Sequence, residues 1–328
     1  MDKHSKIYVA GHLGLVGSAI WRALKRHGYS NLLGRSIDEL DLISQQAVDE
    51  FFAAEKPEYV ALVAAKVGGI AANNTYRAQF LYENLMIEAN VIHAAYKHGV
   101  KKLLFLGSSC IYPKLAPKPL KEEYFLTGPL EPTNEPYAIA KIAGIRLCDA
   151  YNRQYNTNFI SIMSTNLYGP GDTYHPENSH VLPGLIRKLH EAKKSGAKKV
   201  EVWGSGAPLR EFLYSDDLAE GCVFLLENAN YETMAFEDAS GTMQSHINIG
   251  SGREISIREL AQLVKKIIGF QGELYFDAHR PDGAPRKLMD SSRLLAMGWT
   301  PTVSLVEGIT RTYEDYLSQL AKPAADNC

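Results

Sequence analysis

A doubly wound α/β fold, in which helices cover both faces of a parallel sheet and a smaller mixed α/β lobe follows, is the architecture this sequence predicts. Three observations carry that expectation. Short apolar runs alternate with longer helical patterns through the first half, the first run ends in a glycine turn that opens a helix, and the rhythm breaks after Pro170. "KIYVAG" (6–11) reads as a buried strand, and a helix follows over 14–27. "NLLGR" (31–35) reads as strand two, and 44–55 as a helix with Phe51 and Phe52 inward. "EYVALVAA" (58–65) is strand three, and the helical pattern over 76–98 stops at Gly99, in the position where glycine closes helices. Strand four covers 101–106, a helix covers 135–155, and "FISIMST" (159–165) is strand five.

After Pro170, polar loops over 171–179 and 228–245 separate shorter helices at 181–194 and 257–268 from strand-like pieces at 200–203, 247–249 and 273–276. The expected division is a nucleotide-binding domain over 1–170 and a substrate lobe over 171–328, with an interleaved boundary. The tail from Lys322 is expected to fray.

Composition narrows the function. With 328 residues, the chain can bury a large core and form about two domains. A formal charge of −2 gives no pull toward nucleic acid or acidic membranes, and pairs such as Lys193-Lys194 and Lys198-Lys199 read as solvated faces. No apolar stretch approaches the roughly 20 residues of a membrane helix, and the N-terminus lacks an apolar signal core, so a cytoplasmic location is expected. Cys110, Cys148, Cys222 and Cys328 show no CxxC spacing, which argues against zinc or a disulfide framework. No metal is expected.

"GHLGLVG" places Gly11, Gly14 and Gly17 directly after strand one and at the opening of a helix. Glycines at this spacing permit a tight turn, close approach to a pyrophosphate and close packing of helix on strand; the helix N-terminus supplies amides and positive dipole. Together these mark a Rossmann-type dinucleotide site. Strand two ends in Arg35, with no acid until Asp38, which favours the 2′-phosphate of NADP over the free ribose of NAD. The alternative reading of Arg35 is a solvated surface charge.

"YAIAK" puts Tyr137 and Lys141 one helical turn apart, so that an ammonium can stabilise a phenolate and lower its pKa. Ser108, where strand four ends, is placed to reach a substrate carbonyl beside Tyr137. Cys110, two residues further on, raises the choice of packing, a disulfide partner, a metal ligand or a reactive thiol; the cysteine spacing weakens the disulfide, and a buried small hydrophobe is the commoner reading of such a residue alone.

These three features together resemble the extended short-chain dehydrogenase/reductase superfamily. Within it, "AAKVGGI", "GSSCIYP", "EPTNEPYAIAK", "TNLYGP", "NSHVLPGLIRKLHEA", "VWGSG", "REFLYSDDLA" and "PDGAPRKLMD" are similar to the family of GDP-4-keto-6-deoxy-D-mannose 3,5-epimerase-4-reductases, over nearly the whole chain. That resemblance implies epimerisation at C3 and C5, then NADPH-dependent reduction at C4, in a homodimer built on helices 76–98 and 135–155. It implies Ser108, Tyr137 and Lys141 for the reduction, with Cys110 as base and His180 as acid for the inversions. It implies a cofactor site of Gly11, His12, Gly14, Leu15, Val16, Gly17, Arg35, Asp41, Leu42, Leu106, Lys141, Asn166, Leu167 and His180. Ser108, Ser109, Asn166, Lys188, Trp203, Arg210, Asp282 and Lys287 are implied around the GDP-sugar.

Leu13 and Ile37 stand where some members of the family carry arginines toward the 2′-phosphate, which keeps NAD open as the weaker alternative. Rival readings are another sugar-nucleotide epimerase or reductase of this fold, and a non-catalytic nucleotide sensor. Dehydratases of the superfamily carry Asp-Glu where this chain has Ser109-Cys110, simple 4-epimerases need no thiol base, and sensors lose the Tyr or Lys that this chain keeps.

Overall fold

The sheet begins with β1 (Ile7–Ala10), whose four residues are all buried. The computed structural model describes residues 1–176, 179–238, 241–280, 282 and 284–321. In chain order come α1 (Leu15–Arg26), β2 (Leu32–Leu33), α2 (Gln45–Glu55), β3 (Tyr59–Leu62), α3 (Ile70–Thr75), α4 (Arg77–Lys97), β4 (Lys102–Ser108), α5 (Glu135–Tyr155) and β5 (Phe159–Ser164). The second half contains β6 (Asn166–Tyr168), α6 (Val181–Ser195), β7 (Lys199–Trp203), β8 (Leu209–Tyr214), α7 (Ser215–Asn228), α8 (Tyr231–Met234), β9 (Phe236–Glu237), β10 (Met243–Gln244) and β11 (His246–Ile249). It closes with β12 (Glu254–Ser256), α9 (Ile257–Ile268), β13 (Glu273–Asp277), β14 (Arg286–Lys287), α10 (Ser292–Ala296) and α11 (Leu305–Ala321).

Six parallel strands run in the order β11-β5-β4-β3-β1-β2. Strand order reverses between β1 and β3, which is the switch point where a doubly wound sheet opens a crevice at the carboxyl ends of its strands. Alternation along β1 explains the two covered faces: Ile7 and Val9 join the core under α1 and α7, while Tyr8 and Ala10 join the one under α2, α4 and α5. Phe52 is fully buried there and Phe51 only partly. Lys102, itself buried, donates from Nζ to the carbonyls of Leu226 at 2.7 Å and Ala229 at 2.5 Å, so an ammonium closes the C-terminal end of α7.

The lobe has its own core, formed by α6, α9 and α11 against β7 and β8. β8 anchors it, pairing with β6, β12 and β14, while β13 lies beside β7. One expectation is corrected. The strand-like piece at 247–249 does not belong to the lobe: as β11 it is the edge strand of the main sheet, parallel to β5. Helix α7 likewise packs into the main core with α1. The chain therefore returns to the first layer after entering the lobe, and the fully buried residues of β11 are the reason. Strand two, expected over 31–35, narrows to Leu32 and Leu33. The tail from Lys322, including Cys328, lies outside the described residues.

Candidate active site

At the switch point the loop after β1 is shaped by steric demands that only glycine meets. Gly11 has φ +90°, and a Cβ there would sit 2.9 Å from Ala64, just past β3. A Cβ on Gly17 would lie 2.0 Å from the Gly11 carbonyl oxygen. Gly14 occupies the N-cap of α1 with no side-chain cap and no acid in the first turn, which leaves amides and dipole facing the crevice. Leu15 and Val16 form that first turn. His12 packs near Trp21, and its Nδ1 is buried without a partner among the described residues. A cradle with an orphaned buried nitrogen and open helix amides fits a dinucleotide pyrophosphate.

Arg35 does lie at this end, but Glu55 holds it at 2.7 Å, and the guanidinium also donates to the Gly34 carbonyl at 2.9 Å. The neighbouring positions are apolar and open, Leu13 at 69% and Ile37 at 75% exposure. The Asp41 carboxylate accepts from its own turn, from Ile43 N at 2.9 Å, and the Leu42 carbonyl accepts from Asn90.

The end of β4 and the start of α5 meet at the reaction centre. Ser108 is the last residue of β4; its hydroxyl accepts from the Cys110 amide at 3.3 Å and bonds the Tyr137 phenol. Ser109 is buried in the short 3-10 turn Ser109–Ile111 that follows. The Cys110 Sγ accepts from Asn134 Nδ2 at 3.1 Å and Lys287 Nζ at 3.5 Å. His180 is the N-cap of α6; desolvation by the protein around its ring, and then the Lys287 ammonium, hold its imidazole below the ordinary value.

Tyr137 departs from expectation. Burial pushes its phenol above the ordinary value, with Cys110 and Glu88 adding to the rise and the Ser108 hydroxyl opposing it. Lys141 does not produce the expected depression, because its ammonium is paired with buried Glu88 at 3.1 Å and donates to the Leu106 carbonyl at 3.0 Å. It lies 5.8 Å from the Tyr137 ring centre.

Toward the lobe the crevice turns cationic. Parallel pairing sets Lys287 of β14 beside Arg210 of β8. Burial lowers the pKa of both Arg210 and Lys188, so each is a cation short of water and receptive to an anion. Lys188 and Arg280 flank the exposed Trp203 ring, 5.1 and 4.9 Å from its centre, beside a cleft of about 490 Å³ lined by Lys188, Glu191, Val200, Glu201 and Trp203. Asp282 shapes the rim instead of facing it, accepting from Ser205 N at 3.0 Å and Ser205 Oγ at 2.6 Å. Asn166 Nδ2 donates to the Glu211 carbonyl at 2.8 Å, and Leu167 packs against the main core. No cluster of metal-ligating side chains occurs among the described residues.

Residues 7–250 match the NAD dependent epimerase/dehydratase family. The chain is 60% identical to the putative GDP-L-fucose synthase 2 of Arabidopsis thaliana, over 98% of this chain and 94% of that one. It is 54% identical to the GDP-L-fucose synthase of Escherichia coli strain K12, over 95% and 96%. The chain belongs to the GDP-L-fucose synthase family. Among solved structures it resembles a GDP-mannoheptose C4 reductase from Campylobacter jejuni with NADP bound, with a TM-score of 0.87, 44% identity and coverage of 97% and 99%.

Within this GDP-L-fucose synthase fold, four residues stand at the site that sequence reasoning missed. Asn134 sits at the N-cap of α5, where capping is a sufficient explanation, yet its side chain makes no cap and turns to Cys110. Glu88 reads as one more charge on a long helix. Arg280 falls in a polar turn. Glu211 is fully buried and clamps the amides of Gly252 at 2.7 Å and Met289 at 2.9 Å, which fixes β14 and with it Lys287.

Proposed function

We propose that the chain converts GDP-4-keto-6-deoxy-D-mannose to GDP-L-fucose in two stages, inversion at C3 and C5 followed by NADPH-dependent reduction at C4. One observation supports this above the others: the Cys110 thiol, faced by an ammonium and an amide, stands at the same strand end as Ser108 and Tyr137.

A 4-ketone acidifies the hydrogens on both adjacent carbons, since the carbanion formed is an enolate. In this reading the Cys110 thiolate, stabilised by Lys287, removes those protons in turn, and His180 returns protons from the opposite face. The lowered imidazole makes protonated His180 the stronger acid. Ser108 holds the C4 oxygen and Tyr137 protonates it. The loop at 11–17 would hold NADPH, with Arg35 toward its 2′-phosphate, and the bound cofactor would supply the hydride. Gly11, His12, Gly14, Leu15, Val16, Gly17, Asp41, Leu42, Leu106, Lys141, Asn166 and Leu167 line this cofactor site. Arg210, Lys188 and Lys287 answer the diphosphate, and Trp203 offers a face for the base.

A second reading, C4 reduction of a GDP-heptose without inversion, follows from the likeness to the Campylobacter reductase, but it leaves the paired donors on Cys110 without a task. Incubation with GDP-4-keto-6-deoxy-D-mannose and NADPH in deuterium oxide separates the two. The expected product is GDP-L-fucose carrying deuterium at C3 and C5; retained configuration at both centres would refute the bifunctional assignment.

We place the chain in the cytoplasm as a homodimer. Cys110, Cys148 and Cys222 are free thiols, and no described helix is long and apolar enough to cross a membrane. Tyr82, Ile139 and Tyr155 leave apolar surface open on α4 and α5, and Tyr96 stacks on Tyr155 with ring centres 4.2 Å apart. Light scattering is expected to return twice the chain mass; a monomer would sink the dimer.

A further inference from the structure

Among the described residues, one buried ion pair joins a cofactor-site residue to a carboxylate that has no task in the scheme above. Glu88 on α4 and Lys141 on α5 are each only 2% exposed, and Glu88 Oε1 lies 3.1 Å from Lys141 Nζ. The contact is an ion pair more than an aligned hydrogen bond, and Oε2 has no hydrogen-bond partner among the described residues. The space for this carboxylate is built in: a Cβ on Gly144, one turn past Lys141, would come within 2.8 Å of Oε2. A carboxylate with neither oxygen hydrogen-bonded in a buried helix interface is costly unless a cation answers it. It is held here at the root of the residue that faces the reacting phenol.

We infer that Glu88 is a positioning residue of the reductase half, fixing Lys141 and neutralising its charge so that Tyr137 stays protonated as a proton donor. The inference rests on the reductase reading of Tyr137. A lone buried ammonium beside a phenol favours the phenolate, the form that serves oxidation of an alcohol. Reduction of a ketone needs the opposite form, an intact O–H. With Glu88 opposite it, the ammonium still orients but no longer pulls the phenol into ionisation.

The groups facing Glu88 agree with that balance. On α5 they are Lys141, Tyr137 and Cys148, with Cys110 beyond Tyr137; β4 contributes the Phe105 ring, 4.8 Å from Lys141 Nζ. The Glu88 charge raises the Tyr137 phenol, in line with the proposed role. Burial pushes the Glu88 carboxyl itself up to about 7 against the pull of Lys141, so the neutralising charge is fully present only above neutrality.

The test is a direct titration of Tyr137 in the full-length protein, labelled with [13Cζ]tyrosine and read by NMR without substrate or cofactor. Tyr137→Phe assigns the signal. Glu88→Gln is expected to lower the phenol titration by about one pH unit or more. Glu88→Asp, which keeps the charge but withdraws it by one methylene, is expected to move it the same way by less. An unmoved phenol in whichever variant retains the native melting transition overturns the inference. Because the titration uses no substrate, its outcome is independent of the product assay: an inactive native enzyme would defeat the reductase reading, and an unmoved phenol would defeat the role of Glu88.

Discussion

Replacing Cys110 with serine is expected to lower deuterium incorporation at C3 and C5 by about 10²–10⁴-fold while hydride transfer to C4 continues. The expectation follows from ionisation rather than shape. A serine oxygen can take the same two hydrogen bonds, from Asn134 Nδ2 and Lys287 Nζ, so the strand end should keep its form. What it cannot do is ionise near neutrality, whereas a thiol begins near 8.5 and is brought lower by adjacent positive charge. Both donors point at the sulfur, and Lys287 is itself fixed by the clamp of Glu211 on neighbouring Met289. The variant should therefore release a GDP-6-deoxyhexose reduced at C4 with its C3 and C5 configurations unchanged. NMR of the product from a deuterium oxide incubation decides the matter, and exchange at the native rate would remove Cys110 from the role of base.

That Asn134 and Lys287 are not legible in the sequence as partners of Cys110 says where sequence reading stops. The parallel strands announce themselves, because residues buried on both faces form near-continuous apolar runs, and α5 and α9 carry their boundaries in local chemistry. Ser256 and Glu259 form a complete capping box at the start of α9, and Gly269 closes it at φ +76°. Cys110 could be singled out because it stands beside a strand end with its own logic. Lys287 could not be placed against it, since 177 residues intervene and the register of β14 on β8 is a tertiary fact. β11 is hidden for the same reason: four residues after a polar loop look like a lobe strand until their partner β5 is known. Arg35 is visible in the sequence as a cation after strand two, while its pairing with Glu55 depends on helix packing that no local pattern encodes.

Tyr137→Phe is expected to have the complementary outcome, with C4 reduction slowed about 10²–10⁴-fold and deuterium exchange at C3 and C5 persisting. The sign rests on which form of the phenol the structure maintains. Burial pushes Tyr137 above its ordinary value, and the charges of Cys110 and Glu88 push in the same direction, so it remains protonated throughout the physiological range. It is thus a donor waiting for the oxygen that becomes negative as hydride reaches C4. Phenylalanine removes that proton and leaves the Ser108 hydroxyl, which orients the oxygen but cannot supply the missing proton without a base-to-acid exchange of its own. The substitution removes neither hydrogen bond to the Cys110 sulfur, so the enolate chemistry should proceed and the epimerised ketone should accumulate. Absorbance of NADPH follows the first half of this prediction, and deuterium NMR of the recovered ketone follows the second. Reduction at the native rate would assign the proton to a group other than Tyr137, and loss of exchange together with reduction would show that the two stages do not depend on separate groups of residues.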